Sequence, residues 1–378
     1  MLRATPLYTV ASIVVVAACS DRPEPTAPAR ANAIVTANAI QLPYTVPVDG
    51  PVTLEGFDGS AYDIAHGISA LGEVAGVSSL GGVIHAVRWP AGSTALKDVG
   101  IGTPYDINTT GQLAGDAGLH AVLWTPDGLG GYTVTRIGEQ IPSAISSSAY
   151  GINANGQVVG TYRVVSAGGV SDKCFMWTPN LPNSPSGIVT TLADLGGSFC
   201  VANDINSSGY VVGAATTTEG ETHGFVWSPP SWGRPGRIRD LTPGAGPSYA
   251  TAINEARQIA GQHTTDATSN AAIWTPTAGG SYVVADLGAF TGTESFALDI
   301  NDAGFVVGFA RRSDLSEDDA FFWQNGKFTL LPGTASINLA AALSDFDGKS
   351  VRVVGTSLDA STGTRTAVRW DVMLSQPK

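Results

Sequence analysis

The chain has 378 residues, of which 43% are hydrophobic and 14% are charged, with 46 glycines, 22 prolines and 8 tryptophans. This apolar content is sufficient for one large core or two smaller ones, which excludes a disordered protein. The low charge and high glycine content disfavour a helix-rich fold and favour many short strands joined by tight turns. The formal net charge is −12 and basic residues do not cluster, which excludes nucleic acid and anionic bilayers as partners bound through charge.

Residues 1–18 have the features of a secretory signal: Arg3 precedes an apolar stretch that ends at Val16, and small residues then lead to Cys19. A buried first helix or an uncleaved membrane anchor is the alternative, but about ten to twelve apolar residues are too few to span a bilayer of roughly 30 Å. The V-A-A-C ending resembles the lipobox of bacterial lipoproteins, which implies lipid attachment at Cys19. By the same resemblance, Ser20 implies sorting to the outer membrane, with the protein in the periplasm or at the cell surface.

Two further segments follow the signal. Residues 19–40 are rich in proline, alanine and threonine without strand or helix periodicity, which predicts a flexible tether. Residues 41–378 form the predicted repeat domain, and its first strand is expected at residues 51–57 (PVTLEGF). We therefore expect membrane contact only through the lipid on Cys19.

After this strand, a unit of about 47 residues recurs seven times. Each copy contains the motif A-x-[D/G]-I-[N/S]-x-x-G, an apolar V-V-G run, a variable loop, a short run ending in tryptophan, and a strand ending near D-L-G. Six copies keep one spacing from the isoleucine to the last glycine of the V-V-G run: Ile68–Gly76, Ile107–Gly115, Ile152–Gly160, Ile205–Gly213, Ile253–Gly261 and Ile300–Gly308. The seventh copy, Leu343–Gly355, is longer, and the tryptophans follow in step at Trp89, Trp124, Trp177, Trp227, Trp274, Trp323 and Trp370.

Each repeat supplies four predicted strands. The asparagine and glycine of the motif favour a tight hairpin turn between the first two strands. Arg257 replaces the glycine in the fifth copy, which predicts a different turn there. Four strands in a unit of this length are typical of a β-propeller blade.

The end of the chain predicts how the ring closes. After Trp370 only DVMLSQPK remains, which is too short for an ordinary fourth strand and its turn. The strand at residues 51–57 would complete the last blade and leave no free edge. The predicted fold is therefore an all-β, seven-bladed β-propeller with four antiparallel strands per blade, and a linear β-solenoid is the alternative.

The segment before each tryptophan carries a family resemblance. It reads His85-Ala86-Val87, His120-Ala121-Val122 and His223-Gly224-Phe225 in three copies and drifts in the others. Over roughly residues 50–372 the chain resembles the bacterial HAF-repeat (extracellular repeat) family. The resemblance implies an extracytoplasmic location, but it supplies no activity and no site residues.

The cysteines agree with export. Cys174 and Cys200 are an even pair once Cys19 is acylated, so an oxidising compartment favours a disulfide between them. Two separate buried thiols are the alternative. The sequence has no CxxC, HExxH or Cys/His cluster, and we expect neither a metal nor a cofactor.

Catalytic patterns are missing from the sequence. There is no G-x-S-x-G elbow. His85, His120 and His223 share one repeat position, as do Asp106, Asp204 and Asp299 next to the motif isoleucine, and recurrence at repeat spacing indicates structural roles. The regular tryptophans indicate packing between sheets. We therefore expect no catalytic residues and no enzyme activity; the alternative is a carbohydrate-active propeller, of glycoside hydrolase or lyase type, with carboxylates in its central funnel.

Variable loops indicate where a partner would bind. The connections between second and third strands are uneven, with long ones predicted at 161–172, 214–222 and 310–318. Loops on a rigid scaffold often carry binding sites. The sequence thus predicts a monomeric, non-enzymatic binding or scaffolding module that holds a protein or glycan on this face. Trp232, which lies outside the repeat register, is a candidate exposed contact.

Overall fold

The computed structural model describes residues 46–374 except 167, 232–233, 266–267, 290–291, 313–316 and 334. The predicted signal at 1–18, the lipid site Cys19, the tether at 19–40 and Trp232 all lie outside the described residues. Within the described ranges the chain is all-β, with 28 strands and one 3-10 turn at Gly138–Gln140. No helix in this part of the chain is long and apolar enough to cross a membrane.

Five sheets contain four antiparallel strands each, and each sheet corresponds to one sequence repeat. Repeat 1 comprises β2 (Asp63–Ile68), β3 (Val74–Leu80), β4 (Val83–Trp89) and β5 (Lys97–Ile101). Repeat 2 comprises β6 (Thr103–Ile107), β7 (Leu113–Ala117), β8 (His120–Pro126) and β9 (Tyr132–Arg136). Repeat 3 comprises β10 (Ala144–Ile152), β11 (Val158–Ser166), β12 (Gly169–Pro179) and β13 (Gly187–Thr191).

The next two repeats have the same organisation. Repeat 4 comprises β14 (Gly196–Ile205), β15 (Val211–Thr217), β16 (Thr222–Ser228) and β17 (Arg237–Asp240). Repeat 5 comprises β18 (Ser248–Ile253), β19 (Ile259–Thr265), β20 (Thr268–Pro276) and β21 (Tyr282–Gly288).

The sixth sheet has eight strands and contains the last two repeats. Repeat 6 comprises β22 (Gly292–Ile300), β23 (Val306–Arg312), β24 (Asp318–Gln324) and β25 (Lys327–Leu330). Repeat 7 comprises β26 (Ile337–Leu343), β27 (Ser350–Leu358), β28 (Arg365–Met373) and the N-terminal strand β1 (Val48–Thr53). A single parallel pair, Asp318 with Ile337, connects the two groups.

The N-terminal strand pairs with the end of the chain, as the sequence predicts, although it lies earlier than residues 51–57. β1 runs antiparallel to β28, with Val52 opposite Arg369. Leu54 follows it, and the Leu54 backbone N–H donates to the Ala367 carbonyl over 2.9 Å. The Leu54 side chain is buried in one cluster with Trp89 of repeat 1 and Ala367 of repeat 7, so the segment joins the first repeat to the last.

The first strands are arranged propeller-like around a common centre. Each of β2, β6, β10, β14, β18, β22 and β26 contacts the next, and β26 contacts β2. The tryptophan of each repeat packs against a neighbouring sheet, as Trp177 does against Ala114 and Leu123 of repeat 2. The glycine of the V-V-G run permits close approach of first and second strands, since a Cβ at Gly213 would collide with the Val201 carbonyl oxygen.

Two local expectations are wrong. Arg257 does not change its turn: its backbone N–H donates to the Asn254 carbonyl, as Gly209 does to Asn206, and Arg257 adopts the left-handed φ of 63°. The arginine side chain lies over the Tyr210 ring at 5.3 Å, which offsets part of the strain. The predicted loop at 161–172 is mostly strand, because β11 and β12 extend and pair as far as Ser166 and Gly169.

Candidate functional site

The molecule has two faces with different roles. Face A carries the connections between second and third strands and those from each fourth strand to the next repeat. Face B carries the turns between first and second strands and the connections between third and fourth strands. The central channel, lined by the free edges of the first strands, runs between these faces.

Asparagine side chains connect successive repeats on face B. The Nδ2 of Asn108 donates to the Asn153 carbonyl, and the same bond recurs from Asn153 to Asn206, Asn206 to Asn254, Asn254 to Asn301, and Asn301 to Ser344, over 2.9–3.2 Å. The Oδ1 of Asn254 also accepts the Gln258 backbone N–H within its own turn. The motif asparagine therefore organises its turn and attaches it to the next repeat.

Two of the three recurrent histidines pair with an aspartate of their own sheet, whereas His120 Nδ1 is buried without a partner among the described residues. His85 and His223 pair through Nδ1 with Asp98 and Asp240 of the fourth strand in their own sheets, at 3.1 and 2.7 Å. In two further repeats Lys173 and Asn270 take the histidine position and bind Asp194 and Asp286. The aspartate of D-L-G also accepts a backbone N–H two residues later, for example that of Gly288. One interaction thus explains two separate sequence signatures.

The recurrent aspartates beside the motif isoleucine also connect repeats. In Asp106, Oδ1 accepts the Ile107 N–H and Oδ2 accepts the Ile152 N–H of the next repeat. Asp204 and Asp299 make the same pair of bonds. Burial between first strands, partly opposed by these backbone bonds, raises the pKa of Asp106 to about 8, of Asp204 to about 6 and of Asp299 to about 7.

Every first strand has a β-bulge one residue before the position that these aspartates occupy in three repeats and that glycine or alanine occupies in the other four. The register shifts there in all seven repeats, so one residue per repeat has no partner in the sheet. The bulge residues are His66, Tyr105, Tyr150, Asn203, Thr251, Leu298 and Ala341. All except Leu298 remain partly exposed although they lie at the centre of the ring, so the channel admits solvent beside them.

The bulge residues of repeats 1 to 3 form an aromatic wall. The ring centroids of His66 and Tyr105 lie 5.6 Å apart, and those of Tyr105 and Tyr150 lie 5.3 Å apart. The opposite side of the channel carries Thr251, Leu298 and Ala341. The channel lining is therefore chemically uneven, although the backbone repeats.

A hydrogen-bonded network extends this wall toward face A. Asp116 Oδ2 accepts the Tyr105 hydroxyl over 2.8 Å and the Ser148 hydroxyl over 3.0 Å. Burial raises the pKa of the Asp116 carboxyl, and both hydroxyl bonds oppose that rise. His66 Nδ1 lies 2.6 Å from the Pro104 carbonyl, and burial lowers the pKa of His66 to about 4, so the ring is neutral near pH 7.

In repeats 1 to 3, exposed large aliphatic side chains are more numerous on face A than on face B, where Leu71, Leu129 and Leu181 are exposed. Seven lie at hairpin tips and connections of face A in repeats 1 to 3: Leu80, Val83, Ile101, Leu119, Ile145, Val165 and Val170. We call this group the aliphatic rim. The Ser147 N–H donates to the Leu119 carbonyl, which brings the tips of repeats 2 and 3 together. Repeats 1 to 3 therefore carry both the aromatic wall and the aliphatic rim.

The two remaining predictions concern the cysteines and metal binding. Cys174 of β12 and Cys200 of β14 form the predicted disulfide, with 5.3 Å between their Cα atoms, which joins repeats 3 and 4. Among the residues that the structure describes, no group of three or more His, Cys, Asp or Glu could hold a metal ion.

The sequence did not single out the bulge residues. They occupy the variable position x of the motif A-x-[D/G]-I, where residue type changes in nearly every copy while its neighbours recur. That variation is the signal that could have located the channel lining. A side chain that points into a channel is not packed against other residues, so its residue type is less restricted than that of its neighbours.

Comparisons with known proteins give little functional information. A family model described as "Protein of unknown function (DUF3466)" matches residues 99–227. No curated protein matches the chain. A protein of unknown function from Dyadobacter fermentans is 12% identical, with a TM-score of 0.46 over 87% of this chain and 99% of its own. The PQQ-bound aldose sugar dehydrogenase of Streptomyces coelicolor is 12% identical, with a TM-score of 0.44 over 87% and 99%. TolB from Acinetobacter baumannii is 11% identical, with a TM-score of 0.40 over 81% and 80%.

Proposed function

We propose that this protein is an exported outer-membrane lipoprotein of the HAF-repeat kind, anchored through Cys19, in which a closed seven-bladed β-propeller acts as a non-enzymatic binding or scaffolding module. Its partner is a protein or a glycan held on face A. Two features support the seven-blade count: the unbroken series of first-strand contacts from β2 round to β26, and the pairing of β1 with β28.

The aliphatic rim is the observation that carries the proposal of a binding face. Large aliphatic side chains scattered singly on a surface are ordinary, but a concentration on one face is typical of an interaction site. Within this group Ile101, Val165 and Val170 are 64%, 60% and 59% exposed. Exposure of this extent at the end of β5 and in the β11–β12 hairpin favours a partner that covers them.

The direction of the N-terminal strand supports presentation of face A. Val48 at the start of β1 pairs with Val372 near the end of β28, on the side of face B. The segment that leads back to Cys19 therefore enters the domain from face B. An anchor on that side therefore leaves face A unobstructed by the chain that leads to the lipid.

The enzymatic alternative has less support. A glycosidase needs one carboxyl that is free to donate a proton and a second that acts as nucleophile or base. In Asp106, Asp204 and Asp299 both oxygens already accept backbone N–H groups that join adjacent repeats. These carboxyls have a structural task, and their recurrence agrees with it.

The proposed function is tested by placing a charge in the aliphatic rim. Val165→Asp and Val170→Asp are compared with Ile188→Asp, which alters an equally exposed aliphatic residue (67%) on an outer strand. Each variant is produced in cells with a photo-crosslinking residue at position 119. We expect the crosslinked species of the wild type to persist in Ile188→Asp and to disappear in both rim variants, with unchanged thermal unfolding. Identical crosslinking in all four proteins, or none in any, would contradict the proposal.

A further inference from the structure

The polar atoms of the aromatic wall and its neighbours that remain unpaired are hydrogen-bond acceptors. In His66, Nδ1 must donate, because its partner is the Pro104 carbonyl; Nε2 is then an acceptor that is buried and has no partner among the described residues. The Asp116 Oδ2 atom accepts two hydroxyls, while Oδ1 accepts nothing from the described part of the chain.

The next bulge residue continues this pattern. Asn203 Nδ2 donates to the Ala250 carbonyl over 2.7 Å, whereas its Oδ1 accepts no bond from any residue that the structure describes. The Tyr105 and Ser148 hydroxyl protons are directed to Asp116. The side of the channel formed by repeats 1 to 4 therefore has unpaired acceptors, whereas most of its donors already bind protein atoms.

We propose that this arc of the channel, formed by His66, Tyr105, Asp116, Tyr150 and Asn203, is a binding subsite for a neutral saccharide. The inference rests on the proposed binding function and gives its ligand class. A sugar ring presents C–H groups that pack on aromatic faces and hydroxyl groups that donate hydrogen bonds. Both requirements are met side by side on this wall.

A cationic amine is the competing donor-rich ligand, and the arrangement of acceptors disfavours it. An ammonium group concentrates its donors at one point, whereas the three unpaired acceptors belong to repeats 1, 2 and 4 and are spread along the arc. The hydroxyl groups of a sugar are distributed around its ring, so their donors match acceptors that are spread in this way.

The opposite arc provides an internal control. Leu298 and Ala341 occupy equivalent bulges in repeats 6 and 7, but their side chains offer neither an aromatic face nor a hydrogen-bond acceptor. A saccharide bound as proposed would contact one side of the channel. Substitution of Leu298 should then leave binding unchanged, although it alters the same layer.

The test uses saturation-transfer NMR on the intact mature domain with a panel of neutral sugars: glucose, galactose, mannose, xylose, N-acetylglucosamine and their common disaccharides. We expect at least one sugar to receive saturation at millimolar concentration, Tyr150→Ala and Asp116→Ala to weaken that binding about tenfold, and Leu298→Ala to leave it unchanged. Sugar-induced shifts of the His66 and Tyr150 ring signals in the wild type give a second measurement that needs no variant.

Three outcomes would overturn the inference. They are no saturation of any sugar in the panel, binding that is equally strong in Tyr150→Ala and wild type, and binding of methylammonium in place of the sugars. The rim crosslinking experiment separates this failure from that of the proposed function. If the crosslink responds to Val170→Asp while no sugar binds, face A holds a partner and the channel is not its saccharide site.

Discussion

Gly209 and Arg257 occupy the same position of the same turn, and this pair isolates the cost of a left-handed backbone. Their φ angles are 80° and 63°, and both N–H groups donate to the motif asparagine of their own turn. A Cβ at Gly209 would meet no atom closer than 3.7 Å, so space does not require glycine there. The requirement comes from φ alone.

We therefore expect Gly209→Ala to lower the free energy of unfolding by roughly 1 kcal/mol, because L-residues resist the left-handed region. Arg257→Gly should raise it by a smaller amount, since the substitution relieves the same strain but removes the contact with Tyr210. Urea unfolding of both variants measures these changes. Gly279→Ala, at an open site without a positive φ, is the control and should not be destabilised. A stabilised Gly209→Ala variant would contradict the explanation.

The raised pKa values of Asp106, Asp204 and Asp299, which are buried between first strands, predict how the stability of the fold depends on pH. Their native pKa values are raised, so between about pH 4 and pH 8 the folded state binds more protons than the unfolded state, and the free energy of unfolding falls as pH rises. His66 acts in the opposite direction: its native pKa is lowered from 6.5 to about 4, so it destabilises the fold as pH drops below 6.5. Between pH 6.5 and 8 the raised carboxyls, Asp106 and Asp299 above all, therefore set the sign.

We expect urea unfolding to show lower stability at pH 8 than at pH 6.5, and Asp106→Asn to reduce that difference. The variant also loses one acceptor for a backbone N–H, which costs about 1–3 kcal/mol at both pH values. Asp58→Asn, on the exposed surface, should change neither quantity. Stability that instead rises from pH 6.5 to 8 in the wild type would show that the backbone hydrogen bonds outweigh burial.

At the scale of strands, the sequence predicts more of the scaffold than of the site. The recurring spacing of Ile205–Gly213 and its counterparts locates the first hairpins, because tight turns and close strand approach restrict residue type. The bulge at Asn203 and its counterparts leaves no such mark, since it depends on two residues opposing one across a pair of strands. The network of Asp116 with Tyr105 and Ser148 joins different strands, and no spacing along the chain records it.

The disulfide joins elements of two adjacent repeats, so its contribution is expected at this scale. Cys174 and Cys200 are 26 positions apart. A cross-link that closes a loop of this length lowers the entropy of the unfolded chain and so raises the free energy of unfolding by about 3 kcal/mol. We expect Cys174→Ser/Cys200→Ser to be destabilised by about that amount in urea unfolding. Reduction of the wild type should give a similar loss. Two free thiols in the unfolded, unreduced mature domain would show that the bond does not form.

For the molecule as a whole, closure by the N-terminal strand is the feature on which the other repeats depend. β1 supplies the outer strand of repeat 7, and the segment after it buries Leu54 between repeats 7 and 1. Its partners in β28 lie at the far end of the sequence, so removing β1 exposes an edge that no other strand of the described residues covers.

A domain beginning at Ser60 should therefore unfold at a lower temperature than one beginning at Gln41, and it should aggregate through the free edge of β28. Loss of Leu54 alone removes a fully buried side chain, which typically costs several kcal/mol, and loss of the strand adds its backbone pairing. Deleting residues 20–38 should change neither midpoint nor solubility. The comparison also tests the proposed blade count, because equal midpoints and equal solubility for the Gln41 and Ser60 domains would mean that the last repeat is complete without β1. A ring of seven four-stranded blades closed by the N-terminus would then be wrong.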